Sequence, residues 1–434
     1  MRQWMVAAKK ADFYAIAEKF HVDPVVARII RNREVIGEKN IRIYLGGNLS
    51  DLSDPHQMKD MDRLVEILAQ KIRKQVRIRI IGDYDVDGVT SSHLFLTALR
   101  RVGAKVDVVI PHRIQDGYGL SLHLLQQAKE DGVDTILTCD NGIAAIDEIA
   151  WAKAQKMTVL VTDHHAVPFE EHEGRRTEKK SLADAVVNPH QQDCGYPYKE
   201  LCGAGVAWNV IRVLYENYDM DKREAEDLLD FVAMATVCDV MSLTGENRIL
   251  VKEGLKRIRH TKNIGLQALM QACNVQPENI SAYHFGYVLG PCVNATGRLD
   301  TARHALRLFE TGQETPVTLR RLFEDVGLPN LAVNLDPANL ILYGKANPVD
   351  ALEVIGKYVR GVHGKDGCYP TNGHDLGAET PMGQGRVDFP ALLKGLHALG
   401  YDGCITIERE IEGDQQAVDI LAARDMLQGI LAAL

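Results

Sequence analysis

Carboxylate and imidazole groups cluster at three places in the first half of the chain. They are Asp83-Tyr-Asp85-Val-Asp87-Gly88, then Asp140, then Asp163-His164-His165. Each follows a short apolar run of the kind that forms a buried strand. Hard divalent cations favour carboxylate oxygens, and Mn²⁺ also accepts imidazole. Three carboxylates at spacing two repel one another unless cations compensate, and the turn at Gly88 lets them fan around metals. One Asp-rich turn after a strand is commonplace; three such clusters at three strand ends argue for metal. Asp239, a lone acid in the apolar run Ala233-Met-Ala-Thr-Val-Cys-Asp-Val240, needs a partner if buried, either a base or a cation. Two bridged cations would lower the pKa of a bound water and hold both oxygens of an in-line displacement at phosphorus. His165 would then orient or protonate a phosphate oxygen, or stand behind the ligands.

The elements that must position these groups alternate. Lys71–Ile81 runs from a helical into an alternating pattern and ends as a strand. Helix 90–102 leads to strand 105–110, helix 121–130 to strand 134–139, and helix 143–156 to strand 157–162, with Ala185–Val187 a further strand. This rhythm predicts an α/β fold, a mostly parallel sheet with helices on both faces. Ligands in such sheets bind beyond the carboxyl ends of the strands. Residues 1–75 read as an N-terminal region of short helices with turns at Gly46-Gly47 and Asp54-Pro55. The sheet domain spans 76–225 and a helical linker region 226–309, broken by one irregular stretch, Gly290–Asp300. Beyond 310 strands return at 331–335, 359–362 and 404–407, each ending on a polar group: Asp336, His363 and Glu408.

Composition sets outer limits. The chain has 434 residues, 46% hydrophobic and 25% charged, enough for several domains. No apolar run nears the ~18 residues that span a bilayer, so no membrane role is expected. The N-terminus interrupts its apolar stretch with Lys9, Lys10 and Asp12 and lacks a signal-peptide core. Eight cysteines without a C-x-x-C pair indicate neither a zinc site nor a disulfide framework, and a cytoplasmic location follows. Residues 1–113 hold 20 Lys+Arg against 14 Asp+Glu, whereas 310–434 hold 10 against 18. A basic first quarter is compatible with a polyanion, and equally with a solvated helix face.

Further motifs carry a resemblance. Gly82-Asp-Tyr-Asp-Val-Asp-Gly-Val-Thr-Ser91, Pro111–Gly119, Cys139-Asp-Asn-Gly142, Asp163-His-His165, Asn188-Pro-His190, Cys202-Gly-Ala-Gly205, Leu243-Thr-Gly-Glu-Asn-Arg248 and Asn294-Ala-Thr-Gly-Arg298 resemble the RecJ family within the DHH phosphoesterase superfamily, over residues 1–309. The resemblance implies a metal-dependent 5′→3′ exonuclease of DNA repair and recombination acting on single-stranded DNA. It implies a pair of Mn²⁺ or Mg²⁺ ions on Asp83, Asp85, Asp87, Asp140, His164 and Asp239, with His165 and Asp163 as the catalytic pair. It places Asn294 and Arg298 near the nucleic acid; Arg113 and Tyr118 are further candidates for a groove that tracks and stacks a strand. A small-nucleotide phosphodiesterase shares the same metal set, and a module that grips single strands without cutting them is a further alternative.

The family continues into a second domain with a Gly-Gly-His motif, and none occurs after residue 309. Instead, Glu310–Pro316, Asn334–Asn339, Val362-His-Gly-Lys-Asp366, Gly383–Phe389 and Thr406-Ile-Glu-Arg409 resemble the C-terminal half of a sugar-phosphate isomerase/epimerase with a xylose-isomerase-like TIM barrel. That resemblance implies one divalent ion on Glu310, Asp336, His363 and Glu408. A full barrel takes ~250 residues, so a (β/α) half-barrel segment over 310–434 is expected. Its open edges would favour self-association. The change of texture within Arg307–Gly312 reads as a seam between two gene fragments, and exonuclease activity is expected to be impaired.

Overall fold

The computed structural model describes residues 11–113, 116–117, 119–172, 175–299, 301–310, 315–326, 332–371, 376–411 and 413–434. Tyr118, Asp300 and Leu331 lie outside the described residues. The chain divides into two compact units, Met1–Glu310 and Thr311–Leu434.

The first unit is built on a five-stranded sheet. Its strands are β1 (Arg77–Ile81), β2 (Lys105–Val109), β3 (Thr135–Cys139), β4 (Thr158–Thr162) and, after a small antiparallel hairpin of β5 (Phe169–His172) and β6 (Arg175–Glu178), β7 (Ala185–Val187). The order is β2-β1-β3-β4-β7, and all pairs are parallel. Because strand side chains alternate, each strand feeds two cores. Ile80, Leu137 and Leu160 face the core shared with helices Met61–Arg73, Val86–Arg101 and Gly203–Asn217. Ile81, Ile136, Val159 and Val161 face helices Leu122–Glu130 and Ile146–Ala154. Burial on both faces explains why these strands read as near-continuous apolar runs. The chain leaves β1 for β2 on one side and returns to β3 on the other, so the switch point lies between β1 and β3, where a crevice opens at the carboxyl ends.

Two expectations need correction. The helix after β1 begins at Val86, not 90, because Asp85 caps it by accepting from the Gly88 N–H at 3.0 Å; Asp87 therefore lies in its first turn. The stretch expected to be irregular is a helix, Gly290–Leu299, entered through a π-helical turn, Phe285–Leu289. Asn294 accepts from Val86 N–H at 3.1 Å instead of competing for its own backbone.

The second unit holds a three-stranded parallel sheet, β8 (Val333–Leu335), β9 (Val359–Gly364) and, following the two-residue pair β10 (Asp366–Gly367) and β11 (Glu379–Thr380), β12 (Ile405–Ile407). Its order is β12-β9-β8. Its own core joins Leu335, Val362, Phe389 and Leu427 among others.

Candidate metal centre

The acidic groups of the first unit meet at the switch point. Asp83 follows β1, Asp140 follows β3, and Asp163-His164-His165 follows β4. Asp239 caps the C-terminus of helix Leu229–Cys238. Three groups of ligand atoms lie within 4.8 Å of one another: Asp83, Asp85 and Asp140; Asp87, His164 and Asp239; Asp140, His164 and His165. His164 Nε2 is 3.0 Å from Asp140 Oδ1, 3.6 Å from Asp87 Oδ2 and 3.7 Å from Asp239 Oδ2.

Close backbone approach makes this possible. A Cβ on Gly88 would stand 2.5 Å from the Asp83 backbone nitrogen, and one on Gly203 2.6 Å from Asp140 Cβ. Asp140 itself adopts a left-handed conformation, φ 61°, a single-residue excursion that Asp tolerates better than most. Asn141 donates to the carbonyls of Ile81 at 3.1 Å and Cys139 at 3.0 Å, tying the ends of β1 and β3 together. Asp87 accepts from Gly203 N–H at 2.5 Å and Ala204 N–H at 2.8 Å. The positive end of helix Gly203–Asn217 thus steadies one carboxylate. These three supports were present in the sequence motifs, but nothing in their residue types announced their roles. Small residues opening an apolar helix were the available signal for Gly203.

The electrostatics show unmet charge. Burial, then the neighbouring Asp85, pushes the Asp83 carboxyl up to about 7. Burial, then Asp87 and Asp85, takes Asp239 to about 7 as well. Burial raises Asp87, with His164 opposing, and raises Asp140 well above the usual range, helped by Asp87 and Asp85. Both Asp83 oxygens, Asp140 Oδ1, His164 Nε2 and Asp239 Oδ2 are buried without an aligned hydrogen-bond partner. Buried acceptors left unpaired are costly, and the donor set is one that hard cations match.

Asp163 differs. Burial would raise it, yet it lies below the usual carboxylate range because His165 and the N–H groups of Ile143 and His165 bind it. Its oxygens accept from Ile143 N–H at 2.9 Å, His164 N–H at 2.7 Å, and His165 Nδ1 at 2.8 Å. Asp163 in turn raises His165 above its ordinary value, and Asn188 donates to the His165 carbonyl at 2.9 Å. Asp163 is therefore occupied in orienting His165. Arg113 lies over the Tyr84 ring at 5.5 Å, beside the Asp83–Asp87 turn. Asn294 is anchored to the same turn, and Arg298 is exposed on the same helix.

Residues 77–236 match the model of the DHH family, N-terminal domain. The first unit contains a DHH-family domain. The chain is 37% identical over 296 residues to the single-stranded-DNA-specific exonuclease RecJ of Haemophilus influenzae, covering 66% of this chain and 49% of that protein. It is 35% identical over 295 residues to RecJ of Bacillus subtilis, covering 68% of this chain and 36% of the relative. The chain thus spans about half the length, or less, of these curated relatives. A crystal structure of exonuclease RecJ bound to manganese superposes with TM-score 0.50 at 28% identity, covering 65% of this chain and 74% of that one.

Past the DHH domain, residues 302–429 match the xylose isomerase-like TIM barrel model. Within the second unit Asp336, His363 and Glu408 come together at the carboxyl ends of three adjacent strands. His363 Nδ1 is 3.0 Å from Glu408 Oε2 and 3.4 Å from Asp336 Oδ2. Burial raises the Asp336 carboxyl. Lys365, 3% exposed, binds Glu410 at 2.6 Å and reaches Glu408 at 3.5 Å. The fourth expected ligand, Glu310, ends the first unit, where Arg100 pairs with it at 2.7 Å; among the described residues, the group that closes within the second unit has three members.

Proposed function

We propose that the DHH domain hydrolyses phosphodiester bonds of single-stranded DNA as a 5′→3′ exonuclease, with two Mn²⁺ or Mg²⁺ ions as cofactors. The observation that carries the reading is the convergence of Asp83, Asp85, Asp87, Asp140, His164 and Asp239, with five buried ligand atoms that lack an aligned hydrogen-bond partner. When bound, such ions supply Lewis acidity and a water that ionises near neutral pH. The protein's own groups do the rest. Asp83, Asp85 and Asp140 would hold one ion, and Asp87, His164 and Asp239 the other. Asp163 holds His165 through Nδ1, so that the opposite edge of the ring is turned to meet a phosphate oxygen. Arg113 and Arg298 offer positive charge to the backbone of the strand, and Asn294 holds the Arg298 helix against the metal-binding turn. The names of the relatives, single-stranded-DNA-specific exonucleases, support this substrate over a cyclic dinucleotide. The test is release of nucleotides from labelled single-stranded DNA with Mn²⁺. Loss of turnover in Asp85→Ala is expected, and equal turnover in that variant would refute the assignment. Binding without turnover in the unmodified chain would favour a gripping module.

The Asp336, His363 and Glu408 group supports a second reading for the other unit: one divalent ion and sugar-phosphate isomerase or epimerase chemistry, in which a metal polarises a carbonyl. We also propose self-association through the outer edges of β8 and β12, which pair with no further strand among the described residues. A single monomeric species in light scattering across micromolar concentrations would refute it. No described helix is long and apolar enough to cross a membrane, and all eight cysteines are free thiols, which supports a cytoplasmic location.

A further inference from the structure

Helix Leu229–Cys238 ends in a defined way. Met241 N–H donates to the Thr236 carbonyl at 3.2 Å and Val240 N–H to the Val237 carbonyl at 3.2 Å. This is the paired bonding that closes a helix through one left-handed residue, a position held mostly by glycine. Here it is Val240, with φ 57°. A β-branched side chain in that conformation crowds its own carbonyl and costs stability. Of the described non-glycine residues with positive φ, Val240 alone is β-branched.

Burial does not repay the strain, because Val240 is 88% exposed. Glycine or asparagine would close the helix better and present less apolar surface to water. The residue that violates the local rule stands next to Asp239, one of the six metal-type ligands. Unrepaid strain of this kind concentrates where a side chain meets something absent from the free protein.

We propose that Val240 is a substrate-contacting residue whose isopropyl group packs against the sugar or base face of the nucleotide bearing the scissile phosphodiester. This rests on the reading of the DHH domain as a nuclease. Beyond its phosphates a nucleotide offers sugar C–H groups and a base face, both suited to an apolar contact. The strained turn holds that contact at a fixed distance from Asp239.

The test uses the full chain with Val240→Gly, Val240→Asn and Val240→Ile. Melting temperature is measured without metal, Mn²⁺ affinity by calorimetry, and KM and kcat on a single-stranded oligodeoxynucleotide. Gly and Asn should raise the melting temperature by about 2–4 °C, raise KM by roughly five- to twentyfold and leave Mn²⁺ affinity unchanged. Ile, apolar and β-branched, should keep the original KM. An unchanged KM in Gly and Asn overturns the inference. So does Mn²⁺ affinity that falls in step with kcat, which would make Val240 a support for Asp239. Absence of Mn²⁺-dependent cleavage by the unmodified chain overturns the nuclease reading, and this inference with it.

Discussion

At the residue scale, the candidate ligands were legible because type and spacing carry chemistry: three aspartates at spacing two, and an Asp-His-His run, have few structural uses. What spacing does not show is which carboxylate is already satisfied. Asp163 and Asp140 both follow strands, yet Asp163 has N–H donors on both oxygens, whereas Asp140 Oδ1 has no aligned donor and faces His164 Nε2. That contrast makes a prediction. Asp140→Asn removes a carboxyl whose charged form burial and its acidic neighbours disfavour, so the metal-free protein should gain about 1–2 kcal/mol while the Mn²⁺-induced rise in melting temperature disappears. Denaturant melts with and without Mn²⁺ check both. A second residue, His93, lies buried against Phe231 at 4.4 Å and Phe309 at 5.8 Å between ring centroids. Burial, with some help from Arg100, lowers it from 6.5 to about 3. A base depressed in the folded state costs nothing above the unfolded value. Below it the unfolded chain gains a proton that the fold refuses, so stability falls as pH drops from about 6.5 toward 3, by about 1.4 kcal/mol per unit. His93→Phe should remove that slope, and unfolding curves at pH 7.0, 6.0 and 5.0 would show the two proteins diverging only on the acid side.

At the scale of elements, the parallel strands of the first unit announced themselves through apolar runs, and their ends fell close to expectation. Helix Gly290–Leu299 did not, because Gly290, Pro291, Asn294 and Gly297 are all weak helix formers. Tertiary contacts decide it: Asn294 accepts from Val86, and Gly297 lies so close to the Tyr84 carbonyl that a Cβ would stand 2.7 Å from it. The β5–β6 hairpin was missed for the opposite reason, since its exposed, charged strands bury nothing that sets a period. Two helix termini converge on the metal-binding turn, and each can be tested. Asn294→Ala frees an N–H in the first turn of Val86–Arg101, a loss of about 1 kcal/mol. Arg298 would be less well placed, so KM for DNA should rise more than kcat falls. Gly203→Ala drives a Cβ to 2.6 Å from Asp140 Cβ, which should destabilise the fold by about 1–3 kcal/mol. It should also weaken Mn²⁺ binding, since Asp87 loses the aligned N–H groups of Gly203 and Ala204. Calorimetric titration of Mn²⁺ into both variants separates them, with Asn294→Ala expected to bind the metal normally.

At the scale of the whole molecule, a change of texture near residue 310 was visible as a fall in positive charge and a return of strands, and in sequence Glu310 reads with the segment that follows. The fold gives it to the helix Arg303–Glu310, which packs into the first core through Ala305, Leu306 and Phe309, and Arg100 neutralises its carboxylate. The three remaining groups, Asp336, His363 and Glu408, belong to a unit whose core shares no residue with the first. Two metal-type sites in two units with separate cores should respond to metal separately. A cation at one hundred times its dissociation constant stabilises the unit that binds it by about 2.7 kcal/mol, a shift of several degrees for domains of this size. Scanning calorimetry with rising Mn²⁺ should therefore move two transitions. Asp140→Asn should abolish the shift of one and leave the other, and Glu408→Gln should do the reverse. If Glu408→Gln leaves both shifts intact, the Asp336–His363–Glu408 group is a hydrogen-bonded network in which Lys365 already supplies the positive charge.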